Sequence, residues 1–194
     1  MTINLGINGF GRIGRSTLSH ITESARNDVQ VTKINATGSI QTNAHLLKYD
    51  SNHGRFAGKV TVENDTFDIG YGPIKVFSTY EPEDLDWSGC DVVLECTGKF
   101  NDGLKSRVHI QQGAKSVLIS APANNVDKTI VYGVNHRSLT HNDKVVSNGS
   151  CTTNCLAPLA KVLNDSIGIE RGICLLYTSP SPRDLSTSRM PSSA

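Results

Sequence analysis

Three glycines near the start of the chain restrict its possible folds more than any other feature. Gly9, Gly11 and Gly14 follow a short apolar segment, residues 3–7, and open an amphipathic stretch, residues 12–24. The spacing G-x-G-x-x-G between a strand and a helix is typical of a turn that binds the pyrophosphate of a dinucleotide. One glycine permits the tight turn, one lets the anion approach the backbone, and one lets helix and strand pack closely. The motif therefore predicts a Rossmann-type βαβ unit.

The rest of the chain alternates short apolar runs with longer amphipathic ones. We predict strands at residues 29–35, 91–95, 116–120, 128–134 and 144–147, and helices at residues 44–49, at 104–112 and from about residue 151. Residues 59–69 and 74–77 read as an inserted antiparallel hairpin. Apolar strands separated by helices predict an α/β fold with a doubly wound, mostly parallel sheet. Residues 1–150 are the expected dinucleotide-binding domain.

Composition and charge argue against several other classes. The 19 Lys and Arg residues nearly balance the 18 Asp and Glu residues, so that the net charge is +1, which disfavours nucleic acid or an anionic membrane as a partner. No apolar stretch approaches the roughly 20 residues of a membrane span, and the first residues do not resemble a secretion signal. The five cysteines are an odd number without zinc-ligand spacing. We expect a soluble, cytoplasmic protein with no metal site.

The end of the second predicted strand bears on the choice of cofactor. An acidic residue about 20 residues after the glycines usually binds the ribose 2′-hydroxyl in an NAD site, but residues 35–39 (NATGS) contain none. Without that carboxylate a 2′-phosphate is not repelled, and the hydroxyls of Thr37 and Ser39 and the N–H of Gly38 can donate to it. Alternatively, Asn35 holds the ribose and NAD binds. Both NAD and NADP therefore stay open.

A second motif places a cysteine at the predicted start of a helix. Cys151 would lie in the first turn, where free N–H groups and the helix dipole favour the thiolate. A thiolate there can attack a carbonyl carbon, and its own N–H can help to hold the oxyanion. Ser150 and Thr152 either bind a substrate or cap the helix, and capping is the preferred interpretation for Ser150. Cys155 is expected to face the core, and Pro158 predicts a kink or a late helix start.

Several motifs, in order along the chain, resemble the phosphorylating glyceraldehyde-3-phosphate dehydrogenase family. They are residues 8–15 (NGFGRIGR), 45–51 (HLLKYDS), 54–56 (GRF), 95–100 (ECTGKF), 120–122 (SAP) and 147–155 (SNGSCTTNC). The resemblance covers residues 3 to about 173 and implies a cofactor domain, a cysteine nucleophile and usually a homotetramer. It implies oxidation of glyceraldehyde 3-phosphate, with NAD(P) and inorganic phosphate, through a thiohemiacetal and a thioester to an acyl phosphate. Erythrose-4-phosphate dehydrogenase shares these motifs and stays an alternative.

The resemblance also implies roles for individual residues. Cys151 is the implied nucleophile, and Ser150 and Thr152 line the substrate pocket. The implied cofactor-binding residues are Asn8, Gly9, Phe10, Gly11, Arg12, Ile13, Gly14, Asn35, Thr37, Thr97, Gly98 and Ser120, the last three on the nicotinamide side. Two positions near the adenosine depart from the family, since Ala36 replaces an acid and Tyr80 replaces an arginine. Both weaken the expectation of an ordinary NAD preference.

The resemblance stops at about residue 173. Residues 151–173 are expected to form the start of the catalytic domain, with the nucleophile helix and a following strand. The family's catalytic histidine is expected where Tyr177 and Thr178 stand. Residues 174–194 are instead a Ser/Pro-rich tail, typical of disorder, and we favour the interpretation that they are foreign to the family. The chain would then bind cofactor with impaired catalysis, or be a non-catalytic dinucleotide-binding fragment.

Overall fold

The computed structural model describes residues 2–173, and the chain divides into two compact units after Pro158. The Ser/Pro-rich tail and the position expected for the catalytic histidine lie outside the described residues. The strands and helices are β1 (Ile3–Asn8), α1 (Arg12–Glu23), β2 (Val29–Asn35), α2 (Ile40–Lys48), β3 (Tyr49–Asp50), β4 (Gly54–Arg55), β5 (Thr61–Glu63), β6 (Thr66–Asp68), β7 (Pro73–Phe77), β8 (Val92–Glu95), α3 (Gly103–Ser106), α4 (Val108–Gln111), β9 (Ser116–Ile119), β10 (Lys128–Thr129), β11 (Val145–Ser147) and α5 (Cys151–Ile167). None of the helices in residues 2–173 is long and apolar enough to span a bilayer.

A nine-stranded sheet forms the centre of the first unit. Its strand order is β10-β11-β9-β8-β1-β2-β7-β6-β5, and the strands from β10 to β7 run parallel. β5 and β6 form an antiparallel hairpin that pairs with β7. The order reverses at β1, and a doubly wound sheet binds its ligand at the carboxyl ends of the strands beside such a switch point. The predicted α/β fold with an inserted hairpin is confirmed.

Fully buried side chains surround the central strands and fix the position of β1. Ile7 of β1 and Ile34 of β2 pack in one apolar cluster with Leu18 of α1. Trp87 belongs to a second cluster and is completely buried. A Cβ at Gly6 would lie 2.6 Å from the Trp87 ring, so β1 requires a glycine where the indole crosses it. The carboxyl end of β1 is therefore held between two packed clusters.

Two helical predictions are wrong in their bounds. α2 begins at Ile40 and not at residue 44, because the Ser39 hydroxyl accepts the N–H of Thr42 and caps the helix. The helix predicted over residues 104–112 is divided at Arg107 into the one-turn helices α3 and α4.

The strand predicted over residues 128–134 is also shorter than expected. β10 ends at Thr129 because the next segment folds on itself. The N–H of Val131 donates to the Asn135 side chain at 2.7 Å, and the Asn135 amide donates back to the Thr129 carbonyl at 2.9 Å. Ile130 still donates its N–H to the Ser147 carbonyl of β11 at 2.8 Å, and from Val131 onward the local bonds replace the ladder.

The nucleophile helix corrects three further expectations. α5 begins at Cys151 and continues through Pro158, so the alternative of a late start is wrong, whereas the alternative of a kink stays a prediction; the proline removes one backbone donor. Cys155 is exposed and does not face a core, since α5 buries none of its residues. The strand expected before residue 173 is absent from residues 168–173. A strand needs a second strand to which it can hydrogen-bond, and none of the described residues after position 158 belongs to a strand.

Candidate active site

The glycine motif forms the turn between β1 and α1 as predicted. Gly9 has φ +95°, a conformation that side chains disfavour, and a Cβ there would lie 2.7 Å from the Thr97 nitrogen. A Cβ at Gly14 would lie 2.4 Å from the Gly9 carbonyl oxygen, so α1 packs tightly on the turn. A Cβ at Gly11 would meet no atom within 4 Å, and no side chain caps α1. The first N–H groups of α1 therefore face open space, as a bound phosphate requires.

A cavity of about 380 Å³ opens at this turn, over the carboxyl ends of β1, β2 and β8. Its volume is within the usual range for small-molecule sites. The predicted residues that line it are Asn8, Gly9, Phe10, Gly11, Asn35, Thr37 and Thr97. Arg15 and Lys99 line it as well, whereas no carboxylate does, and the buried Nε of Arg15 has no hydrogen-bond partner within residues 2–173. The cavity thus fits an anionic dinucleotide.

The other predicted cofactor residues lie outside the lining of this cavity. Gly14 packs against the backbone of the turn at Gly9. Arg12 and Ile13 are exposed, and Arg12 Nη1 lies 3.6 Å from Asp50 Oδ2. Gly98 follows Thr97 and is exposed, with φ +73°.

Ser120 reaches the cavity only through a neighbour. It is half-buried, and its hydroxyl partly offsets the effect of burial on the pKa of the Cys96 thiol, which lines the cavity. Burial raises the pKa of Cys96 to about 11, so this thiol is protonated and a poor nucleophile.

On the β2 side of the cavity, the Asn35 amide is occupied by other protein groups. Its Nδ2 donates to Asn8 Oδ1 at 2.8 Å and to the Thr79 carbonyl at 3.0 Å, and its Oδ1 accepts the Thr79 N–H at 3.1 Å. Asn35 therefore shapes the cavity, and both N–H groups of its amide are occupied, but Oδ1 keeps a second lone pair that can accept a ribose hydroxyl. The alternative that assigned the ribose to Asn35 stays a prediction that depends on this oxygen.

The loop after β2 is fixed from α2. Asn43 Nδ2 donates to the carbonyls of Thr37 and Ser39, at 3.2 and 3.1 Å. Gly38 has φ +90° with open space around it, and Thr37 is exposed on the cavity wall. Ala36 is buried. The loop thus presents a hydroxyl and an N–H, and no acid, beside the N-terminus of α2.

A buried hydrogen-bond network supports the floor of the cavity, and the sequence analysis missed its roles. Glu95 and His109 are fully buried. Asn8 Nδ2 lies 2.6 Å from Glu95 Oε2, and His109 Nε2 lies 2.9 Å from the same oxygen. Thr97 donates its N–H and its hydroxyl to Glu95 Oε1, at 2.8 and 2.5 Å. The available signal was a carboxylate ending an apolar parallel strand, at the edge of the sheet where ligands bind.

A rigid turn holds the nucleophile segment on the end of β11. Ser147 Oγ donates to the Ala121 carbonyl at 2.8 Å, and the N–H of Asn148 donates to the Ile119 carbonyl at 2.9 Å. Gly149 has φ +67° and donates its N–H to Ser147 Oγ at 3.0 Å. These bonds connect the segment directly to β9 and β11.

Cys151 is the first residue of α5 and is exposed. The Ser150 hydroxyl oxygen accepts the N–H of Thr153 at 2.9 Å, so Ser150 caps the helix, the interpretation preferred from sequence. Thr152 is half-buried beside the cysteine. The sulfur thus stands at the amino end of a capped helix, on the β9–β11 side of the sheet.

A Rossmann-type sheet with a glycine turn, an anion-fitting cavity and a cysteine at a helix start defines a dinucleotide-binding protein of the dehydrogenase class. Comparison with known families is consistent with this. Residues 3–103 match the family "Glyceraldehyde 3-phosphate dehydrogenase, NAD binding domain", and residues 150–181 match "Glyceraldehyde 3-phosphate dehydrogenase, C-terminal domain". The family match thus continues past residue 173, where the sequence analysis placed its end. The chain belongs to the glyceraldehyde-3-phosphate dehydrogenase family, and its first domain is the family's NAD(P)-binding domain.

Curated relatives agree with this assignment. A glyceraldehyde-3-phosphate dehydrogenase of Cereibacter sphaeroides is 55% identical over 185 residues, covering 94% of this chain and 56% of the relative. One of Xanthobacter flavus is 54% identical over 187 residues, with the same coverage. One of Clostridium acetobutylicum is 50% identical over 170 residues, covering 87% of this chain and 50% of the relative. The chain thus spans about half the length of the curated relatives that it matches.

Proposed function

We propose that this chain carries the cofactor-binding and nucleophile parts of a phosphorylating glyceraldehyde-3-phosphate dehydrogenase. The strongest support is the position of Cys151 relative to β1, the strand at which the order of the sheet reverses. Adenosine belongs over β2, so the nicotinamide half of a dinucleotide belongs on the other side of β1, over β8 and β9. Cys151 follows β11, the next strand on that side. The nucleophile and the redox ring then share one half of the sheet.

The residues of this segment suit oxidation of an aldehyde. The Cys151 sulfur adds to the aldehyde carbon of glyceraldehyde 3-phosphate to give a thiohemiacetal, whose oxygen can accept the N–H of Cys151. When bound, NAD(P) supplies the acceptor for the hydride that leaves this carbon. The resulting thioester is cleaved by an oxygen of inorganic phosphate, which releases the acyl phosphate and the sulfur. Ser150 and Thr152 flank the sulfur and are the proposed lining of the substrate pocket.

Turnover by the 194-residue chain tests this proposal. The assay contains glyceraldehyde 3-phosphate, phosphate and NAD(P), with Cys151→Ser as the matched control, and we expect NAD(P)H formation above that of the control. Cofactor binding without turnover supports the second candidate, a non-catalytic dinucleotide-binding fragment. One observation supports that candidate: within residues 2–173, no histidine hydrogen-bonds to Cys151. A higher rate with erythrose 4-phosphate would identify the alternative substrate.

We further propose that the site accepts NADP as well as NAD. No carboxylate lines the cavity, and Ala36 occupies the position of the usual acid. On this proposal the Thr37 hydroxyl and the Gly38 N–H donate to a 2′-phosphate at the N-terminus of α2. The homotetramer implied by the family remains a prediction, which sedimentation of the chain would test.

Replacing Thr37, which is exposed on the cavity wall, tests the cofactor proposal. Thr37→Asp puts a negative charge beside the expected 2′-phosphate, and we expect NADP to bind about tenfold more weakly while NAD changes much less. Thr37→Asn has nearly the same shape without the charge and serves as the control. Calorimetric titration with both cofactors measures the effect. If the Asp and Asn variants have equal affinity for NADP, the electrostatic argument is wrong.

A further inference from the structure

A glutamate side chain is buried behind one wall of the cavity. Glu95 ends β8 with none of its surface exposed. Its Oε1 accepts both the N–H and the hydroxyl of Thr97. Its Oε2 lies within hydrogen-bond distance of Asn8 Nδ2 and of His109 Nε2.

The protonation of His109 follows from its hydrogen bond with Trp87. Trp87 Nε1 lies 3.1 Å from His109 Nδ1, and an indole nitrogen can only donate. Nδ1 therefore carries no proton, and the single proton of a neutral imidazole is on Nε2, which donates to Glu95. Three partners of Glu95 can only donate here, namely the Thr97 N–H, Asn8 Nδ2 and His109 Nε2, and the Thr97 hydroxyl is able to donate as well. These bonds favour the carboxylate form of Glu95, and His109 supplies its hydrogen bond without a positive charge.

No described residue neutralises this buried charge. Among residues 2–173, His109 is the only basic side chain within ion-pairing distance of Glu95, and it is neutral. The charge acts on the cavity wall, because Glu95 adds to the effect of burial in raising the pKa of Cys96. A buried, uncompensated charge is screened less than an exposed one and acts over a longer range.

The charge lies behind the nicotinamide half of the cavity. Asn8 and Thr97, which hold Glu95, line the cavity at the ends of β1 and β8, away from the adenosine side. The cations of the lining lie elsewhere. Lys99 Nζ is 5.3 Å from the centre of the Tyr80 ring, which follows β7 on the adenosine side, and Arg15 Nη1 donates to the Phe10 carbonyl.

We propose that Glu95 is a specificity-determining residue that favours the oxidised cofactor over the reduced one. The oxidised nicotinamide carries a positive charge and the reduced ring is neutral, so a negative charge behind the ring attracts only the first. If one side chain lies between the Glu95 carboxylate and the nicotinamide ring, this attraction corresponds to about a tenfold difference in affinity. The inference rests on the proposed cofactor function.

Calorimetric titrations of the 194-residue chain with NAD⁺, NADH and ADP-ribose, which lacks the ring, test the inference. We expect the unmodified chain to bind NAD⁺ about tenfold more tightly than NADH, and Glu95→Gln to bind the two equally, with ADP-ribose little changed. His109→Gln is the matched control, since it alters the same network but keeps the charge. It should retain the preference for NAD⁺.

Three outcomes would overturn the inference. Glu95→Gln could weaken NAD⁺ and NADH by the same factor, which would indicate a purely structural role. His109→Gln could abolish the preference as fully as Glu95→Gln. The unmodified chain could show no preference, a result that does not depend on the folding of any variant. If ADP-ribose binds but NAD⁺ and NADH bind equally well, only this inference is rejected. If none of the three ligands binds, the proposed cofactor function is rejected as well.

Discussion

Gly11 and Gly14 lie one helical turn apart in the same motif, but the structure requires them for different reasons. A Cβ at Gly14 would collide with the backbone, 2.4 Å from the Gly9 oxygen, whereas a Cβ at Gly11 would point into open space. Gly11 also has φ −74°, which any residue adopts. Gly14 is therefore needed for folding, and Gly11 for the space that a phosphate occupies.

Two alanine substitutions separate these roles. We expect Gly14→Ala to lower the free energy of unfolding by about 1–3 kcal/mol, because α1 must shift away from the turn. We expect Gly11→Ala to change the free energy of unfolding by less than about 1 kcal/mol, while the methyl group weakens dinucleotide binding at least about tenfold. Urea unfolding and cofactor titration measure the two effects. A Gly11→Ala variant that binds cofactor normally would place the pyrophosphate elsewhere.

At the scale of elements, the long periodic segments were predictable, and the short ones were not. β1, α1 and β2 carry their signal in the alternation and helical spacing of apolar residues, together with the glycines between them. The end of β10 depends instead on the Asn135 side chain, and the start of α2 on the Ser39 cap. Such bounds are set by individual hydrogen bonds, which apolar periodicity does not predict.

The candidate site shows the same division. The glycine turn and Cys151 were predictable because a local motif determines each of them. The network under the cavity was not, because it joins residues that only the fold brings together: Trp87 to His109, 22 positions apart, and Asn8 to Glu95, 87 positions apart. No spacing rule connects such residues. Nor did periodicity show that the Asn35 amide is occupied by Asn8 and Thr79.

At the scale of the whole molecule, one residue reports on the first unit. Trp87 is the single tryptophan of the chain and is completely buried, against Gly6 of β1 and hydrogen-bonded to His109 of α4. Its fluorescence therefore changes when the sheet and the helices around it separate. The same strands carry the cavity at their carboxyl ends, so a ligand bound there stabilises the structure that Trp87 monitors.

This coupling predicts the effect of cofactor on thermal unfolding. A ligand that binds only the folded state at a hundredfold excess over its Kd adds about 2.7 kcal/mol, which corresponds to a rise in Tm of about 5–10 °C for a unit of this size. Melting followed by Trp87 fluorescence, with and without NAD⁺ or NADP⁺, measures the rise. Gly11→Ala is the control and should keep its Tm but show about half of the rise or less, since tenfold weaker binding leaves about 1.4 kcal/mol at the same ligand concentration. An equal rise in Gly11→Ala would mean that the nucleotide stabilises the chain from another site, because only the space in front of α1 distinguishes the two proteins.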